Sequence, residues 1–478
     1  MIADLKPYAE YKESGLSTLG KVPAHWELRQ ARQIGRFIKG VGGTKEDSVP
    51  EGVPCVRYGE LYTTFTYFIR TSKAFIKTGR AADYLPIQYG DVLFAASGEK
   101  IEEIGKSAVN LMNVTAVCGG DVIVLRPSVP VHGPFLGYAM DCRPAAIQKA
   151  TMGRGTTIKH IYPDELRSLL FPLPTLDEQE AIVRFLDWAN GRLERAIRAK
   201  RKVIALLNEQ KQAIIHRAVT RGLDPSVPLK PSGIPWLGDV PNNWKVRRLK
   251  FVASQIVDCL HVTPRYSQSG LYPAIRTADI EAGALRLQNA RKISPMDYAR
   301  WTERLEPRED DILYSREGER FGIAACVPEG VRLCISQRMM VFRIAKTDYP
   351  RFVMWLLNSK PTYAQALQDV MGATAPHVNI STIRNYSLAM PAFDEQKAIV
   401  NYIETETHPI GHAVIRLERE IDLLREYRTR LVADVVTGKL DVREAAGKLP
   451  VEEQTIEPEE LVEDDSEIIE DEITEPVG

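Results

Sequence analysis

From Asp177 onward, apolar residues recur with strict 4-3 spacing at Ile182, Leu186, Ala189, Leu193, Ala196, Lys200, Val203, Leu207, Gln210 and Ile214. A second stretch repeats the pattern at Ile399, Ile403, Glu406, Ile410, Ala413, Leu417, Glu420, Leu424, Tyr427 and Leu431. Eight of the ten positions in each are apolar or aromatic, which predicts a coiled-coil seam rather than the wider face of a globular helix. Pro172, Pro174 and Pro391 stand just before the starts, and Asp177, Glu178, Asp394 and Glu395 fall where a helix dipole favours carboxylates. Gly222 and Gly438 supply the stops. Pro409 predicts a kink or break in the second helix. A 44-residue helix is roughly 66 Å long, and two such rods in one chain most simply pair with each other. Residues 10–175 and 228–392 instead carry short β-rich runs such as Val92-Leu93-Phe94, Val122–Leu125 and Met339–Phe342, interspersed with helical stretches at 134–150 and 350–369. That predicts mixed α/β or α+β domains. Residues 222–231, GLDPSVPLKP, have linker composition.

The same plan is written twice. Ser14-Gly15, Leu19-Gly20, Val22-Pro23 and Trp26 recur at a constant offset of 218 as Ser232-Gly233, Leu237-Gly238, Val240-Pro241 and Trp244. Pro54 and Arg57 answer Pro273 and Arg276, while Asp91, Leu93 and Gly98 answer Asp311, Leu313 and Gly318. Met152-Gly153 answers Met371-Gly372. From Asp177-Glu178-Gln179 and Asp394-Glu395-Gln396 to Leu223-Asp224 and Leu440-Asp441, 48 positions align without a gap and 15 are identical. Equal length over such a stretch implies that the distance itself matters, as in a rigid rod. A period this long is a duplicated domain, not a solenoid of short repeats.

Composition narrows the class. The chain has 478 residues, 44% hydrophobic and 26% charged, with no apolar run long enough to span a membrane. The first thirty residues lack the apolar core of a secretory signal. Six isolated cysteines without a CxxC pair predict a reduced, cytoplasmic protein and no structural zinc. The net charge of -1 hides an asymmetry, because residues 451–478 hold thirteen acidic residues and no Lys or Arg. Residues 1–450 therefore carry 62 basic against 50 acidic residues, a formal +12, which points to a polyanionic partner. The acidic tail reads as disordered and solvating.

No catalytic motif survives inspection. Gly15 to Lys21 has the spacing of a phosphate-binding loop, but Val22 replaces the required Ser or Thr, and the repeat has Asp239 where Lys21 stands. Gly105-Lys106-Ser107 lacks the upstream glycine, since position 100 is Lys100. His408 and His412 have ligand spacing without a third ligand, and Pro163-Asp164-Glu165 has no lysine partner for a nuclease centre. Neither a methyltransferase glycine loop nor its Asn-Pro-Pro-aromatic string is present. Recognition remains: two domains on a rod suit a ligand with two spaced sites, and double-stranded DNA is the obvious polyanion.

The order of variable domain, Pro-rich lead, Asp-Glu-Gln and long helix, given twice, closely resembles the specificity subunit of type I restriction-modification systems. The strings that carry it are Gly233-Ile-Pro-Trp-Leu-Gly-Asp-Val-Pro241 with Trp244, Pro273-Ala-Ile-Arg276 with Asp279-Ile280, Asp311-Ile-Leu313 with Gly318, Ile335-Ser-Gln-Arg338 and Pro391-Ala-Phe-Asp-Glu-Gln396. The resemblance covers residues 10–441, and the first copy departs from it at Gly119-Gly120 and Tyr58-Gly59-Glu60.

It implies a pseudo-two-fold repeat of two mixed α/β (α+β) target recognition domains, separated and joined by two long helices in an antiparallel coiled coil. The expected boundaries are 1–175 and 232–392 for the domains, 176–221 and 393–438 for the helices, 222–231 for the linker and 439–478 for the tail. It further implies a non-catalytic chain whose domains each read half of a bipartite, asymmetric DNA target. The helices would set the gap and dock two modification (methyltransferase) subunits, with restriction/translocase subunits completing the complex. S-adenosylmethionine, ATP and Mg would reside on those partners and no cofactor here. A DNA-targeting adaptor of another defence or regulatory assembly is the alternative.

For DNA contacts, Arg57 and Arg276 occupy equivalent positions and suit either a guanine edge or a phosphate or structural ion pair. The loop Met152–His160 offers Arg154, Thr156, Lys159 and His160 among glycines that permit close backbone approach. Its counterpart offers Thr374, His377 and Asn379. Arg316, Arg320 and Arg338 complete the second-domain candidates.

Overall fold

The computed structural model describes residues 5–43, 45–318, 320–370 and 377–450. Of the expected tail 439–478, residues 451–478 lie outside the described residues, as does Thr374, whereas Val442, Ala445 and Ala446 are not disordered but buried in the first unit's core. The long helices are Leu176–Arg221 and Phe393–Val436. The chain forms two compact units, Met1–Ile197 with Asp422–Gly478, and Arg198–Ile421. The division thus falls inside both helices, and each unit takes the start of one and the end of the other.

Within each unit the helices run antiparallel. In the first, Ile182, Phe185, Leu186 and Ala189 share a buried cluster with Leu431, Val432, Val435 and Val436, and Arg428 reaches Glu194 at 3.2 Å. In the second, Ile215, Ala218 and Val219 cluster with Ile399, Val400 and Ile403. Lys200 there pairs with Glu420, so two charged interruptions of the predicted seam neutralise each other. The seam itself drifts from the strict spacing. Val203 is 44% exposed and Gln210, Glu406 and Tyr427 face solvent, whereas Ile204, Lys211, Thr407 and Arg428 turn inward. Added four-residue steps keep the stripe nearer the 3.6-residue period of a straight helix. The break expected at Pro409 does not occur, because the helix runs unbroken through it. Ile403, Thr407 and Ile410 are buried around that turn, and their packing tolerates the one hydrogen bond a proline cannot make.

The repeated Asp-Glu-Gln has a structural reason. Gln179 and Gln396 are buried, and each ties three segments together. Gln179 accepts from the His132 amide at 2.9 Å and donates to the Pro174 carbonyl at 2.8 Å. Gln396 does the same with Tyr349 at 2.7 Å and Pro391 at 3.0 Å. The glutamate before it faces the tryptophan hairpin: Glu178 pairs with His25 at 2.9 Å, and Glu395 accepts from Trp244 Nε1 at 2.9 Å. Trp26 and Trp244 are fully buried. The end of the opposite helix closes over each. A Cβ at Gly438, whose φ is 77°, would lie 2.3 Å from Pro23 and 3.0 Å from Trp26, so only glycine fits. The glycine-lysine string at 15–21 is a hairpin turn between strands Tyr11–Glu13 and Lys21–Pro23. Leu229–Pro231, at the end of the segment with linker composition, pairs with Asp239–Pro241 in the same way.

Each domain is organised on a central sheet, antiparallel throughout in the second unit and antiparallel in the first except that Tyr67–Ile69 runs parallel to Ser107–Asn110. In the first unit its strand order is Gly35–Lys39, Val122–Pro127, Val92–Ala95, Ser107–Asn110 and Tyr67–Ile69. In the second it is Ala253–Asp258, Met339–Ile344, Ile312–Ser315 and Ala324–Cys326. The repeated Asp91 and Asp311 each pin a neighbouring strand, through Arg126 at 2.7 Å and Arg343 at 2.6 Å. The predicted helical stretches each divide in two, Gly133–Asp141 with Arg143–Met152 and Pro350–Leu357 with Lys360–Val370. Pro144 and Pro361 enforce this, since proline suits a first turn and not a helix interior. All six cysteines are free.

Candidate nucleic-acid interface

Candidate residues distant in sequence converge on one end of each central sheet. In the first unit, the strands ending at Lys39 and Ala95 and the strand starting at Val122 bring together Gly40–Gly43, Ala96–Gly98 and Gly119–Asp121. Val56 accepts the Gly119 amide at 3.1 Å, which places Arg57 beside them. Ser97–Gly98 pairs with Lys159–His160 and so folds the 153–160 loop onto the same end. In the second unit, the Ser336 amide donates to Ile275 at 2.9 Å, which brings Arg276 beside 336–338. Glu317 bridges to His377, and Val378 donates to the Arg316 carbonyl at 3.0 Å.

The side chains divide by what already holds them. Arg57 Nη2 donates to Ser48 at 2.6 Å. Arg276 grips Asp279 through two hydrogen bonds of 2.9 and 3.0 Å, the geometry of a structural fork. Arg320 donates to the Ile280 carbonyl at 2.8 Å. Arg316 is buried, 3.3 Å from Asp258 and 2.8 Å from Glu317. Those carboxylates also hold His261 at 2.7 Å and His377 at 3.0 Å. Arg154 is 75% exposed and carries a single ion pair, to Glu165 at 3.2 Å. Lys159 folds back onto the carbonyls of Gly155 and Thr156, while Thr156 faces solvent. Asn379 donates its amide to Asp369 at the start of the helix Ile380–Arg384. His160 and His377 occupy matching places, each with Nδ1 engaged, by Ser97 and Glu317 respectively, both at 3.0 Å.

Two features at this end were not picked out from the sequence. His261 lies beside Arg338, and both hold left-handed backbones, with φ of 57° and 70°. The run Gly40-Val-Gly-Gly43 packs against Gly119–Gly120, where a Cβ at Gly40 would fall 2.1 Å from the Gly119 carbonyl oxygen. A glycine cluster that compact was itself a legible signal; His261 had none. Gly40→Ala should force the two loops apart and lower the stability of the first unit by about 1–3 kcal/mol, seen as an earlier first transition in thermal unfolding.

Asp258, Cys259 and His261 bring potential ligand atoms within 4.8 Å of one another. The Arg316 guanidinium already competes for the Asp258 carboxylate, and burial pushes the Cys259 thiol up, away from the thiolate a metal needs. The trio reads as part of the ion-pair network. Among the described residues, no helix is long and apolar enough to cross a membrane.

Two sheet domains built on one plan, each closed by two long helices, define a duplicated class of two-domain proteins. The family model described as Type I restriction modification DNA specificity domain matches residues 23–201 and 241–408, and the chain belongs to that family as a type I restriction-modification specificity subunit. It is similar to the type I restriction enzyme MjaVIII specificity subunit of Methanocaldococcus jannaschii, 21% identical over 91% of this chain and 97% of that one. It is also similar to the EcoBI specificity subunit of Escherichia coli, 26% identical over 74% of this chain and 73% of that one. A solved chain from work on assembly and conformational transition of the type I R-M system shares the fold, with a TM-score of 0.60 and 17% identity over 88% of this chain and 99% of that one.

Proposed function

We propose that each unit reads one half of a split, asymmetric DNA target through the sheet end described above. The observation that carries this reading is the convergence of separate loops bearing Arg, Lys or His at equivalent places in both units, with glycines concentrated in the first. Glycines allow backbone to approach a groove, and cations there meet phosphates and base edges. The two ends carry different side chains, so the half-sites differ. The long helices set the gap and dock two modification subunits; exposed Leu206, Ile415, Leu423 and Tyr427 are apolar positions suited to such docking. Restriction/translocase subunits complete the assembly in the cytoplasm, and S-adenosylmethionine, ATP and Mg belong to the partners. The chain alone has no turnover.

Co-expression with the neighbouring modification subunit, followed by genome-wide mapping of N6-methyladenine, tests this. Methylation should be confined to one split motif. A complex that forms yet methylates no motif would favour the adaptor reading instead.

A further inference from the structure

We propose that Arg338 is the base-reading arginine of the second unit and selects a guanine in its half-site, an inference that rests on the DNA-reading role proposed above. Four arginines of that domain were candidates, and three are committed elsewhere: Arg276 to Asp279, Arg320 to the Ile280 carbonyl, and Arg316 to Asp258 and Glu317. Arg338 is exposed and has no ion-pair partner among the described residues. Arg316 is buried and forms ion pairs with Asp258 and Glu317, and no ion pair joins Arg338 to either carboxylate among the described residues.

The backbone holds Arg338 at the centre of the sheet end. Its carbonyl accepts the Arg316 amide at 3.1 Å, and the next residue, Met339, accepts the Cys259 amide at 3.2 Å. Both flanking strands therefore fix the residue, which stands on a rigid element rather than a loose loop. Its φ of 70° is left-handed, a conformation an arginine adopts only at a cost. Only four non-glycine residues among those described share that feature, and His261, on the adjacent strand end, is another. The equivalent place in the first unit holds Gly119-Gly120-Asp121, with Asp121 exposed, so no cation is offered there. A planar fork of donors matches the O6 and N7 acceptors of guanine in the major groove, a contact that discriminates roughly ten- to a hundredfold against other bases.

The test is to co-express the full chain with its modification subunit in a host without adenine methylation and to compare wild type, Arg338→Gly and Arg338→Lys. Glycine suits the left-handed backbone, so Arg338→Gly removes the side chain without adding strain. The proposal expects Arg338→Gly to lose preference for one guanine in one half-site, to less than about threefold, with the other half-site and gap unchanged. Arg338→Lys, which keeps the charge but not the fork, should relax the same position. Retention of the wild-type motif by both variants would overturn the assignment. So would restoration by lysine of full methylation at an unchanged motif, which marks a phosphate contact. If Arg338→Gly abolishes methylation, the lysine variant decides between these outcomes. A wild-type complex that methylates no motif refutes the DNA-reading role itself, and this inference with it.

Discussion

Lys149→Ala should unfold the first unit selectively, lowering its stability by about 3–5 kcal/mol while leaving the second unit unchanged. Lys149 is fully buried, yet its ammonium is well held. Nζ donates to the Gly105 carbonyl at 2.7 Å and the Met140 carbonyl at 2.8 Å, with Asp141 at 3.4 Å. Alanine would take the lysine donor from the Gly105 carbonyl, leave the Met140 carbonyl and Asp141 to Ser107 and Lys106 alone, and open a cavity the side chain had filled. The effect should reach the interface, because Lys149 lies on the helix that leads into the 153–160 loop. Chemical denaturation should show the earlier of two transitions moving alone, and methylation should fail through one half-site only. Coincident loss of both units would contradict the division of the chain at the helices. A pH test accompanies it. Burial holds the Lys149 ammonium below the ordinary lysine range. Between that lowered value and about 10.4 the unfolded chain binds the extra proton, so stability rises with pH across this window. Lys149→Met removes the gain, and the difference between wild type and variant should widen as pH rises.

The architecture was legible where one residue type had one physical reason to be there. Trp26 and Trp244, the Asp-Glu-Gln pairs and the helix-ending glycines all hold the positions their repetition implied, because burial and capping leave few alternatives. The coiled-coil register was legible only to within a residue. Sequence spacing of 4-3 and of 4-4 differ by one position, and packing chose Ile204 over Val203 and Thr407 over Glu406. Of the kink or break that Pro409 predicted, the break is absent, because buried Ile403, Thr407 and Ile410 outweigh the local preference.

The interface was legible as a list of cations but not as an arrangement. A structural ion pair was among the roles expected for Arg276, and Asp279 holds it, but the sequence could not show that Arg316 spends its charge on Asp258, which lies in another segment. Nor could it show that His160 and His377 share one place in the two units. Matching them requires the pairing of Ser97 and Glu317 to each loop, which is a tertiary fact. The same reasoning separates framework from readout. Cations paired within the domain shape the sheet end, and those left unpaired are available to a groove.

Inserting four residues into both long helices, at Ile197–Arg198 and Ile421–Asp422, should lengthen the tolerated gap between half-sites by one to two base pairs. These are the two points where the chain passes between units, so neither core is altered. Four residues add roughly 6 Å of helix, comparable to about two base-pair rises of 3.4 Å. The insertion is compatible with the seam, which already contains extra four-residue steps, and a further one shifts its phase little. Insertion into one helix alone should behave differently. It would displace Lys200 from Glu420 or Glu194 from Arg428 and destabilise the pair instead of extending it. The readout is again the methylated motif. Unchanged half-sites with a wider gap would establish the helices as the spacer, whereas an unchanged gap in a folded, active double insertion would refute it.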